Sequence, residues 1–342
     1  MTSVALHWAL IYISRSIEWP TITLPDGDVN LLMPSGRDGS GSHGLSSPAD
    51  TAEKIKRKKG SLMSKPPNNP TGINVKAFER IDDAETAEDY VHILDVFDGL
   101  AGIQRLKQVA IEQCRLRPGL SVLDAGCGTG LETIRLAKQV APSGTVVGID
   151  ASEKFLDEAR RRAADLGLPI DYRQADVQHL PFPDRTFDVA RAERLFPYLA
   201  DPERAFSELV RVTKPGGAVS LIEPDFETVT INVRDRDLVR KIFHFDCDHN
   251  TKNGWIGREL PRLFKSCGLV DIAVEAGVVI FEPENFSAYF LEIGRAACEQ
   301  QVITAGELEQ WQQEIHRLLS RDELFCTISY FMGVGRVPRG SE

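Results

Sequence analysis

A glycine-rich turn flanked by acidic residues is the part of the chain best suited to bind a ligand. Residues 121–130 read Ser-Val-Leu-Asp-Ala-Gly-Cys-Gly-Thr-Gly, a short apolar run that ends in a carboxylate and is followed by alternating glycines. Apolar residues then recur at helical spacing from Leu131 to Val140. A strand, a glycine turn and a helix N-terminus in this order leave backbone N–H groups free to meet a ligand. The residues predicted to form this cradle are Asp124, Gly126, Gly128, Thr129 and Gly130.

The spacing excludes two common nucleotide-binding loops. A dinucleotide fingerprint needs glycine where Leu131 stands, and a P-loop needs a Gly-Lys-Ser/Thr sequence that does not follow. A second apolar run ends at Asp150, about twenty residues past the turn, where an acid can bind a ribose diol. Asp150 could also supply negative charge to the helix that Ser152 opens. The two roles are compatible, and the spacing favours ribose binding.

The motif at 124–130 resembles motif I of the class I S-adenosylmethionine-dependent methyltransferases, in a chain similar to the small-molecule methyltransferases of ubiquinone and menaquinone biosynthesis. Asp176-x-x-x-Leu-Pro-Phe182 and the turn Lys214-Pro-Gly-Gly217 extend the resemblance, which covers residues 82–224 well. It implies S-adenosylmethionine as cofactor, with the glycine loop against its methionine part. It also implies that Asp176 accepts a hydrogen bond from the adenine amino group while the N–H of Val177 meets the ring.

Candidate catalytic residues follow the fourth apolar run, which ends at Glu193. The carboxyl ends of strands at this point of a doubly wound sheet hold the reacting groups. Many small-molecule methyltransferases that resemble this chain carry a His-His pair a few residues later, where Pro197 and Tyr198 stand here. Glu193 and Tyr198 are therefore the predicted catalytic residues, with Arg194 as a further polar candidate.

The elements that must position these residues alternate between strand and helix. The predicted fold class is α/β, a doubly wound seven-stranded Rossmann-like sheet with helical elements over the site. The resemblance places the last strand antiparallel at the sheet edge. Strands are predicted at 121–124, 144–150, 170–175, 187–193, 218–222, 270–281 and 324–337.

Helical segments are predicted before and after the central strands. Residues 82–116 read as helical, and the resemblance would let Arg105 or Lys107 in this segment reach the cofactor carboxylate. Helical insertions are predicted at about 225–268 and 282–323. The aromatic stripes of the second insertion are typical of a core, and they could also wall an acceptor pocket.

Residues 1–70 differ in composition from the rest and are predicted to form a disordered extension before a methyltransferase domain at 71–342. The basic run at 54–59 reads as a solvated linker, or as a targeting or anionic-surface patch. Met63 is a candidate initiator just before the globular sequence. The apolar run at 4–13 is a weak signal-peptide candidate and is too short to span a bilayer, so no stable membrane insertion is predicted.

The net charge and the cysteine content indicate which class of partner and which cellular compartment to expect. The formal net charge of −10 argues against a nucleic-acid backbone as the main partner. Six cysteines without a C-x-x-C pair are typical of a reducing cytosol, so a cytoplasmic location is predicted. Four residues that crowd together show no fixed metal-ligand spacing, so no metal site is predicted. These four are His244, Asp246, Asp248 and His249.

The resulting functional prediction is methyl transfer to an O, N, S or C atom of a small organic molecule, either a metabolite or a natural product. Two alternatives stay open. The fold could bind the cofactor and catalyse a cyclisation or rearrangement, with the sulfonium as a fixed charge. It could also be a non-catalytic partner subunit that keeps the methyltransferase fold.

Overall fold

Seven strands pair into one mixed sheet in the computed structural model, which describes Asp82 and residues 87–339. The order across the sheet is β3-β2-β1-β4-β5-β7-β6. The predicted N-terminal extension at 1–70, with its basic run and Met63, lies outside the described residues. The strands are β1 Ser121–Ala125, β2 Thr145–Asp150, β3 Ile170–Gln174, β4 Phe187–Glu193, β5 Thr213–Ile231, β6 Val270–Phe281 and β7 Cys326–Arg336.

Helices connect the strands in the alternation that the sequence predicted. The segment predicted as helical at 82–116 is divided at Leu100 into two helices, α1 and α2. Short one-turn helices follow β3 at Val177–His179 and β4 at Phe196–Tyr198. The longer helices are α1 Ala87–Gly99, α2 Ala101–Cys114, α3 Leu131–Val140, α4 Glu153–Ala163, α5 Pro202–Val212, α6 Arg236–Phe245, α7 Ile256–Ser266, α8 Pro283–Glu299 and α9 Ala305–Ser320.

The first five strands are parallel, and the strand order reverses between β1 and β4. From β1 the chain adds β2 and β3 on one side, and then β4 and β5 on the other. Loops that leave neighbouring strands in opposite directions open a crevice at the carboxyl ends. That crevice lies at the end of β1, where the glycine turn begins.

The last strand, β7, is antiparallel to both of its neighbours, as predicted, but its predicted place at the sheet edge is wrong. It lies between β5 and β6, and β6 forms the edge. The burial of the two strands reflects these positions. Most residues of β7 are buried along its whole length, whereas β6 is exposed at alternate positions over much of its length. β6 lies at the edge although its exposed residues include Val274, Val278 and Ile280.

Apolar cores lie on both faces of the sheet, as the pleat of its strands requires. Consecutive residues of β1 serve different cores, Val122 on one face and Leu123 on the other. The first core includes residues from α2, α3, α6, α8 and α9, among them the fully buried Trp311. The second includes residues from α5 and α7, among them Phe206 and Phe264. Among the described residues, no helix is both long and apolar enough to cross a membrane.

The predicted helical insertion at 225–268 begins too early. β5 continues to Ile231 because its end pairs with β7, with Thr230 opposite Thr327 and Ile231 opposite Cys326. The helical part starts only at Arg236 in α6 and ends with α7. Helices α8 and α9 occupy the second predicted insertion, at 282–323.

Candidate active site

The glycine turn between β1 and α3 allows another group to approach its backbone closely. Gly126 and Gly128 have φ values of +69° and +52°, which L side chains rarely adopt. A Cβ at Gly126 would lie 3.0 Å from the Leu195 side chain, and one at Gly128 would lie 3.3 Å from Leu94 Cδ1. Both glycines line a cavity of about 250 Å³. A ligand in this cavity can lie directly against the turn.

Two other residues of the predicted cradle have different surroundings. Thr129 lines the cavity and is buried, and its Oγ1 accepts a hydrogen bond from Arg162 Nη1 at 3.4 Å. Gly130 is not among the residues that line the cavity. A Cβ there would lie 2.5 Å from the Tyr172 hydroxyl and 2.8 Å from Ala159 Cβ. Gly130 is therefore required for packing behind the turn.

Asp150 lies at the end of β2 and also lines the cavity. Its Oδ2 accepts a hydrogen bond from the N–H of Gly128, and its Oδ1 accepts one from the N–H of Ser152, each at 2.9 Å. An ionised carboxylate has about four acceptor positions, so two remain for a ligand. Burial raises the pKa of Asp150, and these backbone donors oppose the rise. The cap of α4 is the Ser152 hydroxyl, which accepts from Phe155 N.

Asp176 and Val177 occupy the third predicted position, where β3 gives way to a one-turn helix, and both line the cavity. Val177 is buried, whereas the Asp176 side chain is half exposed. Asp176 caps the turn by accepting from Gln178 N at 2.8 Å. Partial burial opposes the effect, but hydrogen bonds from Gln178 and the nearby His179 hold the pKa of Asp176 below its usual range. The structure thus brings all three acidic strand ends to one cavity.

Asp124, the first acidic residue, is fully buried at the bottom of the site. Its Oδ1 lies 2.9 Å from Arg191 Nη1, and its Oδ2 accepts from Thr133 Oγ1 at 2.6 Å. Arg191 Nη2 in turn donates to Glu193 Oε2 at 2.8 Å. Desolvation by burial raises the pKa of Asp124, and the Arg191 charge opposes this rise. Asp124 therefore anchors β1 to β4 as well as lining the cavity.

Lys107, which the resemblance would let reach the cofactor carboxylate, lines the cavity and joins the same group of charges. Its Nζ lies 2.7 Å from Asp98, 3.2 Å from Glu132 and 3.2 Å from Glu193. Asp98 and Glu132 are site residues that no sequence motif predicted. A signal for Lys107 was present, since it shares one helical face with Ile103, Leu106 and Ala110. We call Asp98, Lys107, Asp124, Glu132, Arg191 and Glu193 the buried charge network.

Glu193, one of the two predicted catalytic residues, lines the cavity and contacts three cations. Burial alone would raise the pKa of its carboxyl. The charges of Lys107, Arg194 and Arg191 outweigh burial and hold this pKa far below its usual range. A carboxylate that is ionised so firmly is a poor proton acceptor. Its surroundings favour an electrostatic role at the site.

The part of the cavity away from the glycine turn is mainly aromatic. Phe97 packs edge-to-face on Phe286, with ring centroids 5.2 Å apart, and the Phe281 ring lies 4.3 Å from that of Phe286. We call this region the aromatic lobe. Its residues are Phe97, Phe226, Phe281, Phe286, Tyr289 and Tyr330.

Tyr198, the other predicted catalytic residue, ends the one-turn helix after β4 and lines the cavity beside Leu195 and Leu199. It is half-buried, so its ring is shared between the protein and the cavity. The structure therefore brings Glu193 and Tyr198 to the same cavity as the glycine turn, as the sequence predicted.

The group of acidic and histidine residues after α6 does not converge on one point. Asp246 is buried and accepts a hydrogen bond from the Tyr289 hydroxyl, whereas His244, Asp248 and His249 are exposed. In the part of the chain that the structure describes, no group of three or more acidic, histidine or cysteine residues could hold a metal ion.

Comparisons with known proteins agree with this geometry. A family model described as a methyltransferase domain matches residues 122–217. A ubiquinone/menaquinone biosynthesis C-methyltransferase from Saccharophagus degradans is 39% identical over 140 residues, which are 40% of this chain and 55% of that protein. Residues 122–217 thus match a methyltransferase domain, and the chain is similar to methyltransferases of quinone biosynthesis.

Longer similarity exists to an uncharacterized 37.1 kDa protein in a transposon of Streptomyces fradiae. It is 34% identical over 220 residues, which are 64% of this chain and 63% of that protein. The chain thus spans less than two thirds of the length of either relative. A solved phosphoethanolamine N-methyltransferase 2 from Haemonchus contortus has a TM-score of 0.51 at 16% identity, covering 78% of this chain and 61% of that chain. That likeness shows a common fold.

Proposed function

We propose that the protein transfers a methyl group from S-adenosylmethionine to an O, N, S or C atom of a small organic molecule with a largely apolar body. One observation carries the proposal: a single cavity includes both the glycine turn and the aromatic lobe. A ligand on the turn and a second ligand in the lobe would meet inside it, beside Glu193 and Tyr198.

The residues on one side of the cavity fit the cofactor. Gly126 and Gly128 line the cavity and have no side chains, so a ligand in it can lie directly against their backbone. Asp150 keeps two acceptor positions, which suit the two hydroxyls of a ribose. Asp176 and the N–H of Val177 supply the acceptor and donor that an adenine edge requires. A solved structure of the Haemonchus contortus enzyme is described as a complex with S-adenosyl-L-methionine, at 20% identity and a TM-score of 0.50.

The cofactor, when bound, supplies an activated methyl group on a positively charged sulfur. The chain's own contribution is to hold the acceptor and to exclude water from the site, which accounts for most of the catalysis when the methyl donor is already activated. The aromatic lobe would bury the acceptor body at about 25 cal/mol per Å² of apolar surface. The buried charge network would set the field around the reacting atoms without exchanging protons.

Label transfer tests this function without knowledge of the acceptor. The purified chain is incubated with methyl-labelled S-adenosylmethionine and fractionated metabolite pools, and labelled product and S-adenosylhomocysteine are both measured. We expect the two to appear together in stoichiometric amounts, and Gly128→Val to produce neither. Conversion of a pool component to an unlabelled product, without S-adenosylhomocysteine, would indicate a cyclisation or rearrangement. Cofactor binding without any product from any pool would favour the non-catalytic partner.

A further inference from the structure

Arg194 directly follows β4 and lines the cavity at its aromatic lobe. The centre of its guanidinium lies 4.9 Å from the centroid of the Phe97 ring, a cation–π contact. Phe97 packs on Phe281 and Phe286, so Arg194 lies among the residues that would surround the acceptor. Its side chain is only 17% exposed.

The charge on Arg194 is less fully compensated than those of the neighbouring cations. Lys107 has Asp98 and Glu132 as well as Glu193, and Arg191 has Asp124 as well as Glu193. Among the described residues, the carboxylate that pairs with Arg194 is that of Glu193, whose Oε1 lies 3.3 Å from the Arg194 Nε. That contact lacks hydrogen-bond geometry, so both of these buried atoms remain without a hydrogen-bond partner within the described residues.

The arrangement leaves a partly buried guanidinium in the wall of the cavity, with an ion pair to Glu193 that lacks hydrogen-bond geometry. A guanidinium has five N–H donors, and desolvated charges without partners are costly. An oxyanion is the group that matches such donors best, because charge-assisted hydrogen bonds from arginine are about twice as strong as neutral ones. A neutral apolar acceptor would leave the desolvation cost of the Arg194 charge uncompensated.

We infer that Arg194 binds an anionic oxygen on the acceptor, either a carboxylate or an ionised hydroxyl, whose apolar body lies in the aromatic lobe. This inference rests on the proposed function, since it names the acceptor of that same site. It also explains how the site works without a histidine. A cation beside an acceptor hydroxyl lowers its pKa, so the acceptor can bind already ionised, with its proton left in bulk solvent, and no general base on the protein is needed.

Three probes with one nitrophenyl body test the inference: 4-nitrobenzoate, 4-nitrophenol above its pKa, and the neutral 4-nitrobenzyl alcohol. Binding of each is measured by calorimetry to the full chain saturated with S-adenosylhomocysteine. We expect at least one anion to bind roughly tenfold or more tightly than the alcohol. Arg194→Met should remove the preference, and Arg194→Lys should keep part of it. Arg295→Met, which removes an exposed cation on α8, should change nothing.

The outcomes distinguish a failure of this inference from a failure of the proposed function. Equal binding of all three probes to the wild-type chain, or no binding of any of them at about 1 mM, would overturn the inference. A preference that survives in Arg194→Met would also overturn it, as would a variant that loses only S-adenosylhomocysteine affinity, because Arg194 would then hold the cofactor. Absence of S-adenosylhomocysteine binding to the wild-type chain would instead contradict the proposed function. The comparison within the wild-type chain stands even if Arg194→Met does not fold.

Discussion

The N–H of Gly128 donates a hydrogen bond to Asp150 Oδ2 at 2.9 Å, joining the glycine turn to the end of the neighbouring strand. The two residues are 22 positions apart in the chain. Asp150 therefore does more than face a ligand: it holds the turn in the left-handed conformation that only glycine adopts easily. The residue predicted to bind ribose and the turn predicted to bind the methionine part are one structural unit.

Gly128→Val should abolish S-adenosylmethionine binding in a chain that still folds. The new side chain would strain a φ of +52°, approach Leu94 and occupy the surface on which the ligand lies. Calorimetry should show micromolar affinity for the wild-type chain, about −8 kcal/mol, and no binding for the variant. Gly167→Val is the matched control, because Gly167 has a φ of +61° with nothing within 4 Å of its Cβ. Gly167→Val has the same kind of backbone strain and should keep its affinity for S-adenosylmethionine. Equal losses of affinity in both variants would mean that backbone strain causes the loss.

Glu193→Gln should lower both stability and turnover, while S-adenosylmethionine affinity stays within a few-fold. The change removes the carboxylate that Lys107, Arg191 and Arg194 share, and loss of one partner of a buried pair costs about 3–5 kcal/mol. Because the pKa of Glu193 is lowered in the folded state, its contribution is present above its unfolded pKa of about 4.3 and is lost as the pH falls through the folded value.

Denaturant unfolding measures this stability difference, which should therefore be constant from neutral pH down to about pH 5 and shrink only in stronger acid. Glu292→Gln breaks the exposed pair with Arg295 on α8 and should cost no more than about 1 kcal/mol. A Glu193→Gln variant as stable and active as the wild type would show that the network does not depend on this carboxylate.

Tyr198→Phe should lower turnover on an identified acceptor and leave cofactor affinity unchanged. The ring that lines the cavity is retained, so the change removes only a hydroxyl that could orient the acceptor. Steady-state kinetics should show the loss in kcat/KM. Tyr172→Phe, in the packing behind the turn against Gly130, is a control that removes a hydroxyl outside the cavity. Normal turnover in Tyr198→Phe would leave Tyr198 a packing role alone.

Patterns of residues that are close in the sequence predicted most of the fold and of the site. The features that were not predicted depend on contacts between residues that are distant in the sequence. The glycine turn and the three acidic strand ends depend on residues a few positions apart, and all are present. The place of β7 depends on its pairing with β5 and β6, which are distant in the chain, and no local pattern contains that pairing. The role of Lys107 depends on carboxylates from α1, α3 and β4. The position of Lys107 on an apolar helical face was the sequence feature that indicated a buried lysine with a charged partner.

A second buried carboxyl group, that of Glu223, lies next to the buried charge network. Its pKa is raised, whereas that of Glu193 is lowered. Glu223 in β5 is fully buried, and its Oε1 accepts from the N–H groups of Leu195 and Phe196 at 3.4 and 3.3 Å. Its Oε2 has no hydrogen-bond partner within the described residues. Burial raises the pKa of Glu223 to about 8, and the two backbone donors only partly oppose this. The group is therefore protonated in the folded protein at neutral pH, whereas it ionises in the unfolded chain.

Glu223→Gln should stabilise the protein at alkaline pH. A folded pKa of about 8 means that the stability contributed by Glu223 is fully present below its unfolded pKa of about 4.3 and is lost as the pH rises through 8. Between these values the wild-type chain should lose about 1.4 kcal/mol per pH unit from this group, and glutamine should lose none. The glutamine can keep its carbonyl oxygen toward Leu195 and Phe196. Denaturant unfolding at pH 5, 7 and 9 should therefore show a gain that grows with pH, while Glu309→Gln on the exposed face of α9 shows no such trend. A pH-independent difference between Glu223→Gln and the wild type would mean that Glu223 is ionised in the folded protein.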